Sequence, residues 1–274
     1  MLMKITIVAD NYVDRTAMLA EHGFSCFIET SDFDLLFDTG QGDAFINNLK
    51  FLNIKHADML VLSHGHYDHT GGLSRHLYDC AAITTDIYAS RYIFDNHMKL
   101  NNDDTYSFIG FGSEKGEISK NFKLHLNTGF AQIADNVFLS GTISREVDFD
   151  ADGRLYVEID NHRQKDMFRD EQYMIIREED GIHIITGCTH CGAENLLRHA
   201  KNLFPDDKII SLTGGLHLFR STQKDIDRVI DFLEKEDIKI IATGHCTGLD
   251  AAFQMKNRLG DRVILTKAGM EIRY

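Results

Sequence analysis

The sequence predicts an α/β fold, and three observations carry that expectation. Short β-branched or aromatic runs bounded by Gly, Asp or Ser fill the first half, strands alternate with helices through the last third, and histidines cluster where strands end.

In chain order, residues 4–10 (KITIVAD), 24–30 (FSCFIET) and 34–40 (DLLFDTG) read as strands. Phe45, Leu49 and Leu52 fall at helical spacing across 42–52, and Asp58-Met59-Leu60-Val61-Leu62 reads as a fully buried strand. Residues 91–120 mix polar residues with isolated aromatics and are expected to form a flap. Strands resume at 122–126 and 136–140, and a charge-rich connection over 145–171 is expected as a second loop. The last third then alternates strand 181–187, helix 193–203, strand 208–215, helix 222–234, strand 239–245 and helix 249–259. This pattern implies right-handed crossovers between parallel strands. Pro205, the single proline, stops the first of these helices. With no repeat and no linker, residues 1–274 are expected to form one domain.

Composition removes several classes of function. The 29 Lys+Arg against 42 Asp+Glu give a net charge of −13, an unfavourable field for a nucleic-acid backbone or an anionic membrane. The first residues lack the apolar stretch of a secretory signal, and no apolar run is long enough to span a bilayer. Five scattered cysteines do not form a disulfide framework, so a reducing cytoplasm is expected.

Ser63-His64-Gly65-His66-Tyr67-Asp68-His69-Thr70-Gly71-Gly72 is the strongest signal. Imidazole nitrogen and carboxylate oxygen are preferred donors for zinc and similar divalent ions. Side chains repeat direction every second residue in an extended turn, so His64 and His66 can grip one ion while Asp68 and His69 face a second. Three more strand ends carry histidine: Gly187-Cys188-Thr189-His190, Gly214-Gly215-Leu216-His217 and Gly244-His245-Cys246-Thr247-Gly248. Parallel strands deliver such ends to one edge, where α/β folds place ligand crevices.

His-x-His-x-Asp-His after a buried strand, matched at His64, His66, Asp68 and His69, resembles the signature of the metallo-β-lactamase superfamily. The resemblance implies an αββα sandwich of two mixed sheets flanked by helices and a metal-dependent hydrolase. It implies that Asp38, in Phe37-Asp38-Thr39-Gly40, supports the metal loop from behind, that His245 joins Asp68 and His69, and that His190 completes a trio with His64 and His66. Where the family usually supplies a bridging aspartate after glycine, this chain has Cys188, which reads equally as a thiolate ligand or a buried small residue. Cys188 and Cys191 form a Cys-x-x-Cys pair better suited to metal-site duty than to redox chemistry. His217 reads as a substrate contact, a proton donor or a residue that fixes another ligand.

Together the three downstream segments are similar to the branch that includes archaeal dihydropterin–ribofuranosylaminobenzene phosphate synthases. The implied reaction is attack of a metal-activated water, oriented by Asp68, on a phosphoester or lactone, with His217 protonating the leaving group. Zinc is the expected cofactor, as one or two ions, with manganese or iron as alternatives, and the partner is a small molecule that includes phosphorylated candidates. The competing readings are displacement of pyrophosphate from a pterin-type diphosphate and noncatalytic sensing of a metal or metabolite.

Overall fold

Strands Asp34–Phe37 and Met59–Val61 run parallel with Leu36 beside Leu60 and Phe37 beside Val61, so both end where the histidine motif begins. This is seen in a computed structural model that describes residues 3–150 and 152–274. The chain divides into two compact units, one built from residues 3–128 with Arg154–Asp166 and Lys267–Tyr274, the other from the described residues of 129–153 with Met167–Thr266.

The first unit holds a mixed sheet in the order Glu271–Arg273, Lys4–Ala9, Ser25–Glu29, Asp34–Phe37, Met59–Val61, Asp86–Ser90 and Lys123–Asn127. Its first three pairings are antiparallel and the next three parallel. Helices Asp43–Phe51 and Tyr67–Arg75 bury Phe45, Ile46, Leu49 and Leu73 in a core with Val8, Leu36, Leu60 and Ile87. Each such side chain contributes about 1.5–3 kcal/mol on leaving water.

The second unit repeats this design. Its sheet runs Val263–Leu265, Ile240–Thr243, Ile209–Thr213, Gly181–Ile185, Met174–Glu178, Val137–Leu139 and Ala131–Ala134, parallel across the first three pairings and antiparallel across the rest. Helices Ala193–Leu203, Gln223–Lys235 and Leu249–Leu259 fall within a residue or two of the expected spans. Leu196, Leu197 and Ala200 of the first, and Ile226, Val229, Ile230 and Leu233 of the second, join one core. Thr222 caps the second helix by accepting the Asp225 amide at 3.3 Å, worth about 1 kcal/mol.

The structure corrects two expectations. The stretch expected as a flap contains strands Asn96–Leu100 and Tyr106–Phe108 and helix Lys115–Asn121, and the expected second loop contains strands Leu155–Ile159 and His162–Lys165. The four strands form an antiparallel sheet in the first unit. Cross-strand pairs hold one face of it. Arg163 lies 3.9 Å over the Tyr106 ring, Lys165 4.5 Å over Tyr156, and the two tyrosines meet edge to face. Such pairs leave little apolar periodicity in the sequence.

Among the described residues, no helix is long and apolar enough to cross a membrane.

Candidate metal centre

In the first unit the chain leaves strand Met59–Val61, passes through Ser63 to His66 and enters helix Tyr67–Arg75, whose start is fixed by the His69 and Thr70 amides donating to the His66 carbonyl. Gly72 lets this helix lie against the segment that follows strand Asp34–Phe37, because a Cβ there would collide with the Thr39 carbonyl oxygen.

Asp38 organises the loop. It follows strand Asp34–Phe37 with a left-handed φ of 55°, and its Oδ1 accepts the Ser63 amide at 2.7 Å. Its Oδ2 accepts the Ser63 hydroxyl at 2.6 Å and lies 2.6 Å from His69 Nδ1. A carboxylate only accepts, so His69 donates from Nδ1 and keeps its lone pair on Nε2. The Ser63 hydrogen goes to Asp38, so Ser63 Oγ accepts from His64 Nδ1 at 2.9 Å and His64 likewise keeps its lone pair on Nε2. One carboxylate thereby sets the tautomers of two imidazoles, the support that metal-ligating histidines ordinarily receive.

His64, His66 and His69 crowd together, with ring centroids 4.7 Å apart for His64–His66 and 4.3 Å for His64–His69. Burial, followed by the charges that His69 and His66 would carry, holds His64 well below the ordinary imidazole range and hence neutral. Asp68 Oδ2 lies 4.0 Å from His69 Nε2 and 3.2 Å from His22 Nε2. His22 belongs to no motif.

In the second unit the ends of strands Gly181–Ile185, Ile209–Thr213 and Ile240–Thr243 lie level, with Ile185 beside Thr213 and Thr213 beside Ala242. Their extensions carry Cys188, His190, His217 and His245, all buried. Cys188 Sγ lies 3.5 Å from His245 Nε2, and the His190 and His217 ring centroids are 4.2 Å apart. Both ring nitrogens of His217 are buried without a hydrogen-bond partner. Cys188, His217 and Cys246 can each offer a donor atom within 4.8 Å of the others.

Threonines lace these segments. Thr243 donates to the Gly214 carbonyl at 2.9 Å, Thr247 accepts the Leu216 amide at 2.9 Å, and Thr189 donates to the Gly215 carbonyl at 2.7 Å. Glu171, which carries no sequence signal, accepts the His190 and Cys191 amides at 2.6 and 2.8 Å, and Arg145 donates to the His190 carbonyl at 3.3 Å. Burial pushes the Glu171 carboxyl up, against the pull of those two amides.

The cysteines differ in character. Burial and then the nearby Glu171 push the Cys191 thiol far up, which makes it inert as a redox partner. Burial would also raise Cys246, but the Cys188 side chain and the His245 and His217 imidazoles hold it well below the usual thiol range.

Backbone strain marks the same positions. Asp38, Thr189, His217 and His245 have φ of 55°, 60°, 48° and 44°, each directly or shortly after a strand. Left-handed non-glycine residues of this kind cost about 1–3 kcal/mol each and concentrate at functional sites.

The donors fit a divalent cation of zinc type. Imidazoles with fixed tautomers, a carboxylate and a buried thiol are its preferred ligands.

A strand-end histidine–aspartate loop backed by a buried carboxylate, within a fold of two mixed sheets, defines a metal-dependent hydrolase fold. The chain belongs to the metallo-β-lactamase superfamily, whose model matches residues 20–75. Members of this superfamily are mostly hydrolases and generally bind divalent metals.

Among its relatives, an uncharacterised protein of Methanocaldococcus jannaschii is 32% identical over 245 residues, 87% of this chain and 90% of that protein. The 7,8-dihydropterin-6-methyl-4-(β-D-ribofuranosyl)-aminobenzene-5'-phosphate synthase of the same organism is 29% identical over 99% of this chain and 97% of its own. The crystal structure of a metal-dependent hydrolase of the β-lactamase superfamily matches 98% of both chains at 27% identity, with a TM-score of 0.84.

Proposed function

We propose that this protein hydrolyses an ester of a small molecule, a phosphoester or a lactone, at a divalent metal centre. His64, His66 and His190 would hold one ion; Asp68, His69 and His245 would hold a second, with Cys188 in place of a bridging carboxylate. The observation that carries this reading is the bonding of Asp38, which leaves Nε2 of both His64 and His69 as lone-pair donors.

When bound, a divalent cation supplies Lewis acidity and lowers the pKa of water in its shell. The chain's own residues supply the rest. A carboxylate oxygen of Asp68 accepts a hydrogen from the attacking water and orients it, and a ring nitrogen of His217 carries the proton for the leaving group. In the second unit, Phe219, Leu249 and Phe253 are exposed along a groove of about 640 Å³ whose lining includes Leu218, the neighbour of His217 in the chain. That volume suits a small organic molecule.

Metal content by mass spectrometry, followed by assays on aryl phosphodiesters and acyl lactones, tests the reading. Stoichiometric zinc, manganese or iron with turnover of one class supports it. Purified protein that retains none of these metals and turns over neither class overturns it.

A second reading rests on the similarity to the synthase along nearly the whole chain. An organic acceptor would take the place of water and a diphosphate would leave. Pyrophosphate release that requires a second organic substrate distinguishes this transfer from hydrolysis.

A further inference from the structure

Asp38 serves two of the three imidazoles of the metal loop, His69 directly and His64 through Ser63. The third, His66, meets a different device. The ring of His97 stands perpendicular to it at 90°, with centroids 5.0 Å apart. His97 Nδ1 lies 2.6 Å from Asp166 Oδ2, the same bond at the same length as that between His69 and Asp38. The two side chains are 1% and 3% exposed.

The small antiparallel sheet builds this pair. His97 lies on strand Asn96–Leu100 opposite Val157, and Asp166 follows strand His162–Lys165, with its amide donating to the Leu155 carbonyl at 3.2 Å. The Cδ2–Nε2 edge of His97 covers Gly65, where a Cβ would collide with the Ile93 carbonyl oxygen and meet both ring atoms at 3.1 Å. The Gly at position 65 therefore accommodates the Ile93 carbonyl first and the His97 ring beside it. Ring centroids step from His69 to His64 to His66 to His97 at 4.3, 4.7 and 5.0 Å. Stability alone does not explain such a pair, because apolar residues of equal volume commonly serve a buried site as well or better.

We propose that His97, held by Asp166, is the positioning residue for His66, so that the small sheet sets metal affinity at the His64–His66 end of the loop. The inference rests on the metal-centre reading. It assigns His97 a role through His66 and no contact with reacting atoms.

The test titrates metal-free wild type, His97→Ala, His97→Gln and Asp166→Asn with Zn²⁺ against a chromophoric chelator. The visible spectrum of each Co²⁺ form and the thermal midpoint of each metal-free protein accompany the titration. His97→Ala should bind Zn²⁺ about 10–100-fold more weakly, as loss of an outer support does elsewhere, with a changed Co²⁺ spectrum and partial recovery in His97→Gln. If His97→Ala does not fold, His97→Gln and Asp166→Asn, which keep polar atoms in place, carry the same expectation of weaker binding. Wild-type affinity and an unchanged Co²⁺ spectrum in every folded variant overturn the proposal, even if thermal midpoints fall. A His64→Ala control separates the two readings. If it abolishes Zn²⁺ binding, the metal centre stands whatever His97 does, and failure of the wild type to bind Zn²⁺ overturns both.

Discussion

Asp38 Oδ2 lies 2.6 Å from Nδ1 of His69, and neither side chain is accessible to solvent. The same carboxyl also takes the Ser63 amide and hydroxyl, so it joins the end of one strand to both ends of the metal loop. Asp38→Ala leaves three buried donors without their acceptor. The expected cost is roughly 3–5 kcal/mol of stability and about 10–100-fold in metal affinity. Denaturant unfolding of the metal-free protein and Zn²⁺ competition titration measure the two effects separately.

Cys188 Sγ, 3.5 Å from His245 Nε2, is expected to act as a thiolate ligand. The Co²⁺-loaded wild type should show a sulfur-to-metal charge-transfer band that Cys188→Ser lacks. A band that survives in Cys188→Ser and disappears in Cys246→Ser would transfer the role to the neighbouring cysteine, which the surrounding side chains hold well below the usual thiol range.

Stability of the metal-free protein should depend on pH through buried histidines. Burial pushes His183 from the ordinary 6.5 down to about 4, and it is 1% exposed, with Nδ1 2.9 Å from Ser211 Oγ. In the unfolded chain it takes up a proton near pH 6.5, and in the folded chain only near 4. The unfolded state therefore binds more protons between these values. The contribution is present in full above 6.5 and falls by up to ~1.4 kcal/mol per pH unit as pH drops through the window. His64, also held low, slopes the same way. His183→Asn should give a shallower decline in urea midpoint between pH 6.5 and 4, and an identical slope would contradict the assignment.

Phe253 is 52% exposed and Phe219 44% exposed along the groove lined by Leu218 and Leu249. Truncating either to Ala removes little from the core, so the thermal midpoint should move by no more than a degree or two. With the true substrate, KM should rise several-fold while kcat stays near wild type, the mark of lost uniform binding. A fall in kcat at unchanged KM would place these rings elsewhere in the cycle.

The histidine–aspartate loop was legible in the sequence because His64, His66, Asp68 and His69 are neighbours in the chain. The three downstream histidine segments were legible because parallel strands repeat a pattern of apolar run, glycine and histidine, and helices Ala193–Leu203 and Leu249–Leu259 because their apolar faces recur at helical spacing. His97 and Asp166 lie 69 positions apart and meet only through the register of antiparallel strands. Those strands are held partly by Tyr–Arg and Tyr–Lys pairs, so no apolar alternation exposed them. Glu171 and His22 were hidden for a related reason. Each acts on a distant segment, Glu171 at the His190 and Cys191 amides and His22 at Asp68.

Anomalous diffraction at the zinc edge from crystals grown with Zn²⁺ bears most directly on the proposed metal centre. The expected result is zinc about 2.0–2.1 Å from nitrogens of His64 and His66, with His190 as the third imidazole on that ion. Zinc located away from the loop between Ser63 and Thr70, or bound there without His190, would contradict it.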